Sequence, residues 1–294
     1  MNKIKGIYAA TLSILKKDLS LDIDSTIKHA ENIIDLGCHG VVFFGSTGQS
    51  QLISLSEKIQ LINNLPNSKY SDKFVIGTGL NSLSDTINLI KISKSMKFKK
   101  FLIMPPAYYK YTDKDVINFY SKIVEEVSDC EIILYNFEKL SGYKFSKECV
   151  EELVSKFPNQ IIGVKDSSYN LFEKLNIDNF SVMPGSETKL LKGLELGCAG
   201  IITATTNVTA YLARNVYDNF LNKSSQHLNQ KLCDVRLVFE KYNLISGLHS
   251  FMSQNNKIFE NMLPPLKLLS NEEKKDLFFY LKELNFNIEN LKAA

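Results

Sequence analysis

Lys165 closes a short apolar run, Ile161-Ile162-Gly163-Val164, and is followed by Asp166-Ser167-Ser168. An apolar run of that length between turn signals reads as a buried strand. A lysine at its end costs desolvation unless its ammonium is paired or gives up its proton easily. A lysine of the second kind is a nucleophile toward ketones and aldehydes. The plain alternative is a lysine that leaves the strand end and reaches water. Two other segments bear on the choice. Gly45-Ser46-Thr47-Gly48 offers two hydroxyls and exposed backbone N–H groups, which suits a carboxylate held without a charged partner. Tyr135-Asn136 offers a phenol that can move protons. Each is weak alone, and the glycine-flanked segment could be an ordinary turn. Together they are what a Schiff-base reaction on a 2-keto acid needs, provided that the fold brings them to one place.

The elements that would do so alternate along the chain. Apolar runs lie at Gly6 to Leu12, Val41 to Phe44, Phe74 to Gly77, Phe101 to Met104, Ile132 to Tyr135, Ile161 to Val164, Ser181 to Met183 and Ile201 to Thr203. Each is followed by a helix-like stretch. Ser54-Leu55-Ser56-Glu57 is a capping box, Thr112-Asp113 opens a helical pattern to Val127, and Gly197 is a C-cap. Strict alternation predicts parallel strands joined by helical crossovers, and eight units predict an α/β fold, the (β/α)8 barrel. An open nucleotide-binding sheet would want a glycine fingerprint after the first strand, where Ser13-Ile14-Leu15-Lys16-Lys17 stands instead. Barrel active sites collect at the C-terminal ends of strands, where Ser46-Thr47, Tyr135, Lys165 and Pro184-Gly185-Ser186-Glu187 fall. Beyond about residue 225 the alternation stops, and the pattern predicts helices packed on the barrel. The expected organisation is therefore a catalytic barrel over 1–224 and a C-terminal helical appendage over 225–294.

Composition excludes several classes. The 294 residues are 44% hydrophobic and 23% charged with a net charge of +3, as expected for a soluble globular protein. Arg214 and Arg236 are the only arginines, and scattered lysines do not make a nucleic-acid surface. Five unpaired-looking cysteines fit a reducing cytosol, and four histidines show no metal-ligand spacing. Met1-Asn2-Lys3-Ile4-Lys5 leads into too short an apolar stretch for a signal peptide or membrane span. A cytoplasmic protein with no membrane or nucleic-acid partner is expected.

From Gly6 to about Asn207 the chain resembles the dihydrodipicolinate synthase/N-acetylneuraminate lyase family of pyruvate-dependent class I aldolases. Gly45-Ser46-Thr47-Gly48-Gln49 is similar to its G-[ST]-T-G-E loop, which holds the pyruvate carboxylate. Pro106-Ala107-Tyr108-Tyr109 is similar to the segment whose tyrosine completes a neighbouring subunit's site. Tyr135-Asn136 matches the proton-shuttling tyrosine, and Gly163-Val164-Lys165-Asp166 the Schiff-base lysine. Gly185, Ile202 and Asn207 match later landmarks. The resemblance implies catalytic roles for Lys165, Tyr135, Thr47 and Tyr108. It implies substrate contacts for Ser46, Gly48, Leu140, Gly185, Glu187 and Ile202. It further implies a homotetramer (a dimer of dimers), small-molecule 2-keto acid and aldehyde partners, and no cofactor or metal beyond the lysine imine.

The departures concern the second substrate. The synthases carry an arginine that grips the carboxylate of aspartate semialdehyde, and Leu140 stands in its place. Phe137-Glu138-Lys139-Leu140-Ser141-Gly142 is similar instead to the sialic acid lyases, as is Glu187, which falls where those lyases bind sugar hydroxyls. Thr188 and Ala204 depart from that branch, and Gly163-Val164-Lys165-Asp166 is closer to the 2-keto-3-deoxygluconate aldolases. The expectation is a lyase using a hydroxylated or sugar-derived aldehyde. The alternatives are a dihydrodipicolinate synthase with a rebuilt clamp, a keto-deoxy sugar acid dehydratase and a non-catalytic keto-acid-binding barrel.

Overall fold

The computed structural model describes residues 4–287. The chain's opening at 1–3 and the end of the expected C-terminal appendage at 288–294 lie outside them. Eight strands follow in order: β1 (Gly6–Ala10), β2 (Gly40–Phe43), β3 (Phe74–Gly77), β4 (Lys100–Ile103), β5 (Glu131–Asn136), β6 (Ile161–Asp166), β7 (Ser181–Pro184) and β8 (Gly200–Thr203). All pair in parallel in the order β7-β6-β5-β4-β3-β2-β1-β8. The ends of that series meet where the Ala199 N–H donates to the Val182 carbonyl at 2.9 Å, so the sheet is a nearly closed barrel. This is the (β/α)8 architecture that the alternation predicts.

The crossovers are α1 (Ile23–Asp35), α2 (Leu55–Asn64), α3 (Leu83–Ser95), α4 (Asp113–Glu126), α5 (Glu138–Ser141), α6 (Lys147–Lys156) and α7 (Leu190–Glu195), and α8 (Thr206–Leu221) follows the last strand. Helix α1 shows why they form. Thr26, His29, Ala30, Ile33 and Ile34 recur at helical spacing and face the barrel, and Asp22 caps the N-terminus by accepting from Ser25 N–H. The capping box of Ser54 and Glu57 starts α2, Thr112 caps α4, and Gly197 follows α7 at φ +88°. One expectation fails: no α-helix joins β6 to β7. The Asp166 carboxylate instead accepts the N–H groups of Tyr169, Leu171 and Phe172, folding 167–172 into turns.

Side chains divide by strand period. Val42, Val75, Leu102, Ile133, Tyr135, Ile162, Met183 and Ile202 fill the barrel interior, with Ile4. Their neighbours along each strand, such as Val41, Ile76, Phe101 and Leu134, pack outward against the helices. Beyond α8, α9 (Asn229–Glu240) packs on α8 and on the turn after β7, and α10 (Leu244–Met252) and α11 (Asn271–Glu283) pack on α9 and on each other. The boundary expected at 224/225 falls between α8 and α9. No described helix is long and apolar enough to cross a membrane.

Asn207, at the start of α8, ties β8 to β1. Its amide nitrogen donates to Ala10 and Ala204 carbonyls, and its oxygen accepts Leu12 N–H at 3.0 Å and His29 Nε2 at 2.9 Å. Burial pushes the His29 pKa down to about 4, so the ring is neutral and donates from Nε2. The Leu12 N–H is thereby taken by a side chain, and β1 ends at Ala10 instead of running to Leu12. Asn207→Ala strands several buried donors and acceptors at once. It should lower unfolding free energy by about 3 kcal/mol or more, read as a fall in the urea midpoint at unchanged slope.

Candidate active site

The register of β6 against β5 decides where Lys165 points. Ile132 pairs with Ile161, but Ile133 pairs with Gly163, so Ile162 is an extra residue on β6. Counted in steps of two from outward-facing Ile161, residue 165 would face the helices. The bulge resets the phase. Ile162 and Lys165 face the interior, while Val164 packs outward. Gly163 suits the crowded bulge, since a Cβ there would lie 2.5 Å from the Ser181 carbonyl oxygen.

Lys165 then stands opposite Tyr135 in the ladder, and its Nζ lies 4.3 Å from the centre of the Tyr135 ring. Lys165 is only 3% exposed. Among the described residues its ammonium has no hydrogen bond and no ion pair. The next rung faces outward and is rigid. Asn136 Nδ2 donates to Asp166 at 2.8 Å, Asn136 also holds Asn170 and Phe145, and Asp166 holds its three N–H groups. Burial pushes the Asp166 carboxyl up, and these donors pull it back down.

The hydroxyl-rich segment forms a single 3-10 turn over Ser46–Gly48. Ser46 Oγ shares a hydrogen bond of 3.1 Å with Tyr135 Oη, joining this turn to the lysine–tyrosine pair. Thr47 is buried, and its hydroxyl and N–H have no partner among the described residues, nor does the Ser46 N–H. Gly48 is fastened by Ser13 Oγ, which donates to its carbonyl at 2.7 Å. Two N–H groups and a hydroxyl are thus left without protein partners in the turn that bonds Tyr135, a donor set that suits an anion. Ile202 is on the interior face, and the Gly185 N–H donates to the Asp166 carbonyl at 2.9 Å. Leu140 is half-exposed on α5 and lines a cavity with Ser46 and Tyr135.

Two expected site residues lie off this chain's cavity: Glu187, and Tyr108, which the resemblance assigns to a neighbouring subunit's site. Glu187 does not face the barrel interior. It accepts from outward-facing Thr203, from Thr209 of α8, and from Arg236 Nη1 of α9 at 3.1 Å. It is fully buried in that outer layer, with its carboxylate engaged by these donors and not directed at the cavity beside Tyr135. Tyr108 is 91% exposed at φ +90°, stacked edge-on against Tyr109 and away from its own chain's pocket.

Sequence reasoning missed the C-terminal contribution. Ile245, Pro265 and Leu266 line the same cavity as Tyr135. Gln49, next to the hydroxyl turn, accepts Leu263 N–H at 2.8 Å and faces His249 Nε2 at 3.4 Å. These contacts span some 200 residues and leave no local trace, though Gln49 stood beside the recognised turn.

Fold and site together define a (β/α)8 barrel with a buried lysine near the end of its sixth strand. The model of the Dihydrodipicolinate synthetase family matches residues 3–284, and the chain belongs to that family. A protein of Chloroflexus aurantiacus named "Uncharacterized DapA-like lyase" is 28% identical over 282 residues, 93% of this chain and 94% of its own. The 4-hydroxy-tetrahydrodipicolinate synthase of Karelsulcia muelleri is 28% identical over 254 residues, 83% and 85% of the two chains. The prophage protein YagE of E. coli K12, solved in complex with pyruvate, has the same fold (TM-score 0.85, 21% identity, 96% and 99% covered). So does the dihydrodipicolinate synthase of Agrobacterium tumefaciens (TM-score 0.86, 23% identity, 96% and 99% covered).

The Glu187–Arg236 pair has a measurable consequence. Arg236→Met leaves a buried carboxylate uncompensated and should cost about 3–5 kcal/mol of stability. Glu187→Gln combined with Arg236→Met should recover most of it in urea unfolding. Equal losses in the single and double variants would show that the charge pair is not what anchors α9.

Proposed function

We propose that the protein is a pyruvate-dependent lyase or aldolase of the class I type, with Lys165 as the imine-forming residue. The observation that carries the reading is the buried, unpartnered Lys165 ammonium over Tyr135, hydrogen-bonded in turn to the Ser46–Gly48 turn. The Ser46 and Thr47 N–H groups and the Thr47 hydroxyl would hold the carboxylate of a 2-keto acid. Its carbonyl carbon would then lie within reach of Lys165 Nζ. Lys165 attacks as the free amine: its nitrogen forms the C–N bond as the carbonyl π bond breaks, and the amine proton passes to the carbonyl oxygen, giving a carbinolamine. Tyr135 passes a proton to the departing hydroxyl, water leaves, and the imine remains. Loss of a proton from the methyl carbon gives an enamine that can add to an aldehyde, and the reverse steps cleave the product. This chemistry calls for no metal or organic cofactor. The exposed Tyr108 fits a residue that completes a neighbouring subunit's site in a homotetramer, and a cytoplasmic location fits the composition.

The partner would be a neutral aldehyde. Leu140 offers no charge, Arg214 is paired with Asp218, and Arg236 is spent on Glu187 and Glu240. No arginine is left to clamp a second carboxylate. A sugar-derived aldehyde loses one expected contact with Glu187 in the outer layer. The relatives named 4-hydroxy-tetrahydrodipicolinate synthase keep that activity as the second reading.

Borohydride with pyruvate should add a pyruvate-derived mass to the Lys165 peptide and to no other. Tyr135→Phe should retain some trapping while lowering kcat by about 10²–10⁴-fold. A label on another lysine, or none, refutes the mechanism. Condensation of pyruvate with aspartate semialdehyde should be weak, and Leu140→Arg should raise it. A wild-type kcat/KM of about 10⁴ M⁻¹s⁻¹ or more on that substrate would favour the synthase reading instead.

A further inference from the structure

We infer that the second substrate is a neutral aldehyde with an apolar tail of a few carbons, and not a polyol or a carboxylate. The inference rests on the imine reading above and narrows its substrate. A cavity of about 320 Å³ opens from Tyr135 and Ser46 toward the barrel mouth. Its walls beyond Tyr135 are Met104 and Leu140 on the barrel side and Ile245, Pro265 and Leu266 from the C-terminal segment. No Asp, Glu, Lys, Arg or His lines it.

The polar groups at its edge are neutral, and two of them are committed. Ser46 is bonded to Tyr135, and Gln49 holds Leu263 N–H and faces His249. Ser50 and Gln51 are the other polar side chains along it. A chain of hydroxyls entering this space would give up water without an equivalent set of partners, and a carboxylate would lose more. An alkyl or aryl tail gains by burial. The acid that could have served a polyol, Glu187, lies in the outer layer against Arg236. In the reaction, the enamine carbon of bound pyruvate forms the C–C bond to the aldehyde carbon. The aldehyde oxygen takes a proton, with Tyr135 the nearest phenol, and water then releases a 4-hydroxy-2-oxo acid and free Lys165.

The test uses the full chain with saturating pyruvate and a series from acetaldehyde to pentanal, beside glyceraldehyde and aspartate semialdehyde. kcat/KM should rise about fourfold per methylene until the cavity is full, and butanal should exceed glyceraldehyde at least tenfold. Ile245→Asn should flatten the series while pyruvate trapping on Lys165 stays intact. A flat or falling wild-type series, or glyceraldehyde or aspartate semialdehyde as the better substrate, overturns the inference even where trapping succeeds. Absence of trapping in the wild-type protein overturns the imine reading and this inference with it. Should Ile245→Asn fail to fold, the wild-type series decides alone.

Discussion

One extra residue in β6 decides which way Lys165 faces. Strands alternate strictly between faces, and a lysine four residues beyond outward-facing Ile161 belongs by parity on the helix side. The bulge at Ile162 shifts that parity and brings Lys165 beside Tyr135, the inward residue of the neighbouring strand. Everything else at the site is arranged around that rung. Asn136 and Asp166, the next residues along, face outward and lock to each other and to the turns after β6. That network holds the strand ends so that the inward pair keeps its spacing, and it occupies the place where a crossover helix would have begun.

Polar side chains are used in two different ways. In the outer layer they close the structure. Asn207 joins the last strand to the first, and the Glu187–Arg236 pair joins the loop after β7 to α9. Both are buried and fully engaged, so both cost stability when halved. Inside, polar groups are left without partners. The Lys165 ammonium, the Thr47 hydroxyl and the N–H groups of Ser46 and Thr47 have no hydrogen-bond partner among the described residues. Donors left free together in this way suit a ligand more than a scaffold.

The C-terminal helices belong to the site as well as to the scaffold. Gln49 extends the hydroxyl turn to the backbone of Leu263 and to His249, and Ile245, Pro265 and Leu266 form part of the cavity wall. The appendage therefore bears on what reaches Tyr135, although it contributes none of the reacting groups. The barrel supplies the lysine–tyrosine pair, and the segment over it contributes to the shape and polarity of the cavity beside Tyr135.

The sequence by itself determined the eight-fold alternation, because buried strands and amphipathic crossovers each carry a local signature in periodicity and caps. It also pointed to Lys165, Tyr135 and Ser46-Thr47 as candidates, since those residue types at strand ends are legible one segment at a time. Tertiary structure decided what depends on distant partners. Parity along β6 is set by pairing with β5, and no local pattern in Ile161 to Lys165 announces the bulge. Glu187 looks like any acid at a strand end until Arg236, 49 residues on, draws it into the outer layer. The cavity wall requires segments more than 200 residues apart, such as Ser46 and Leu266, to meet. Local periodicity cannot encode such encounters, because they arise from how whole elements pack and not from any one of them.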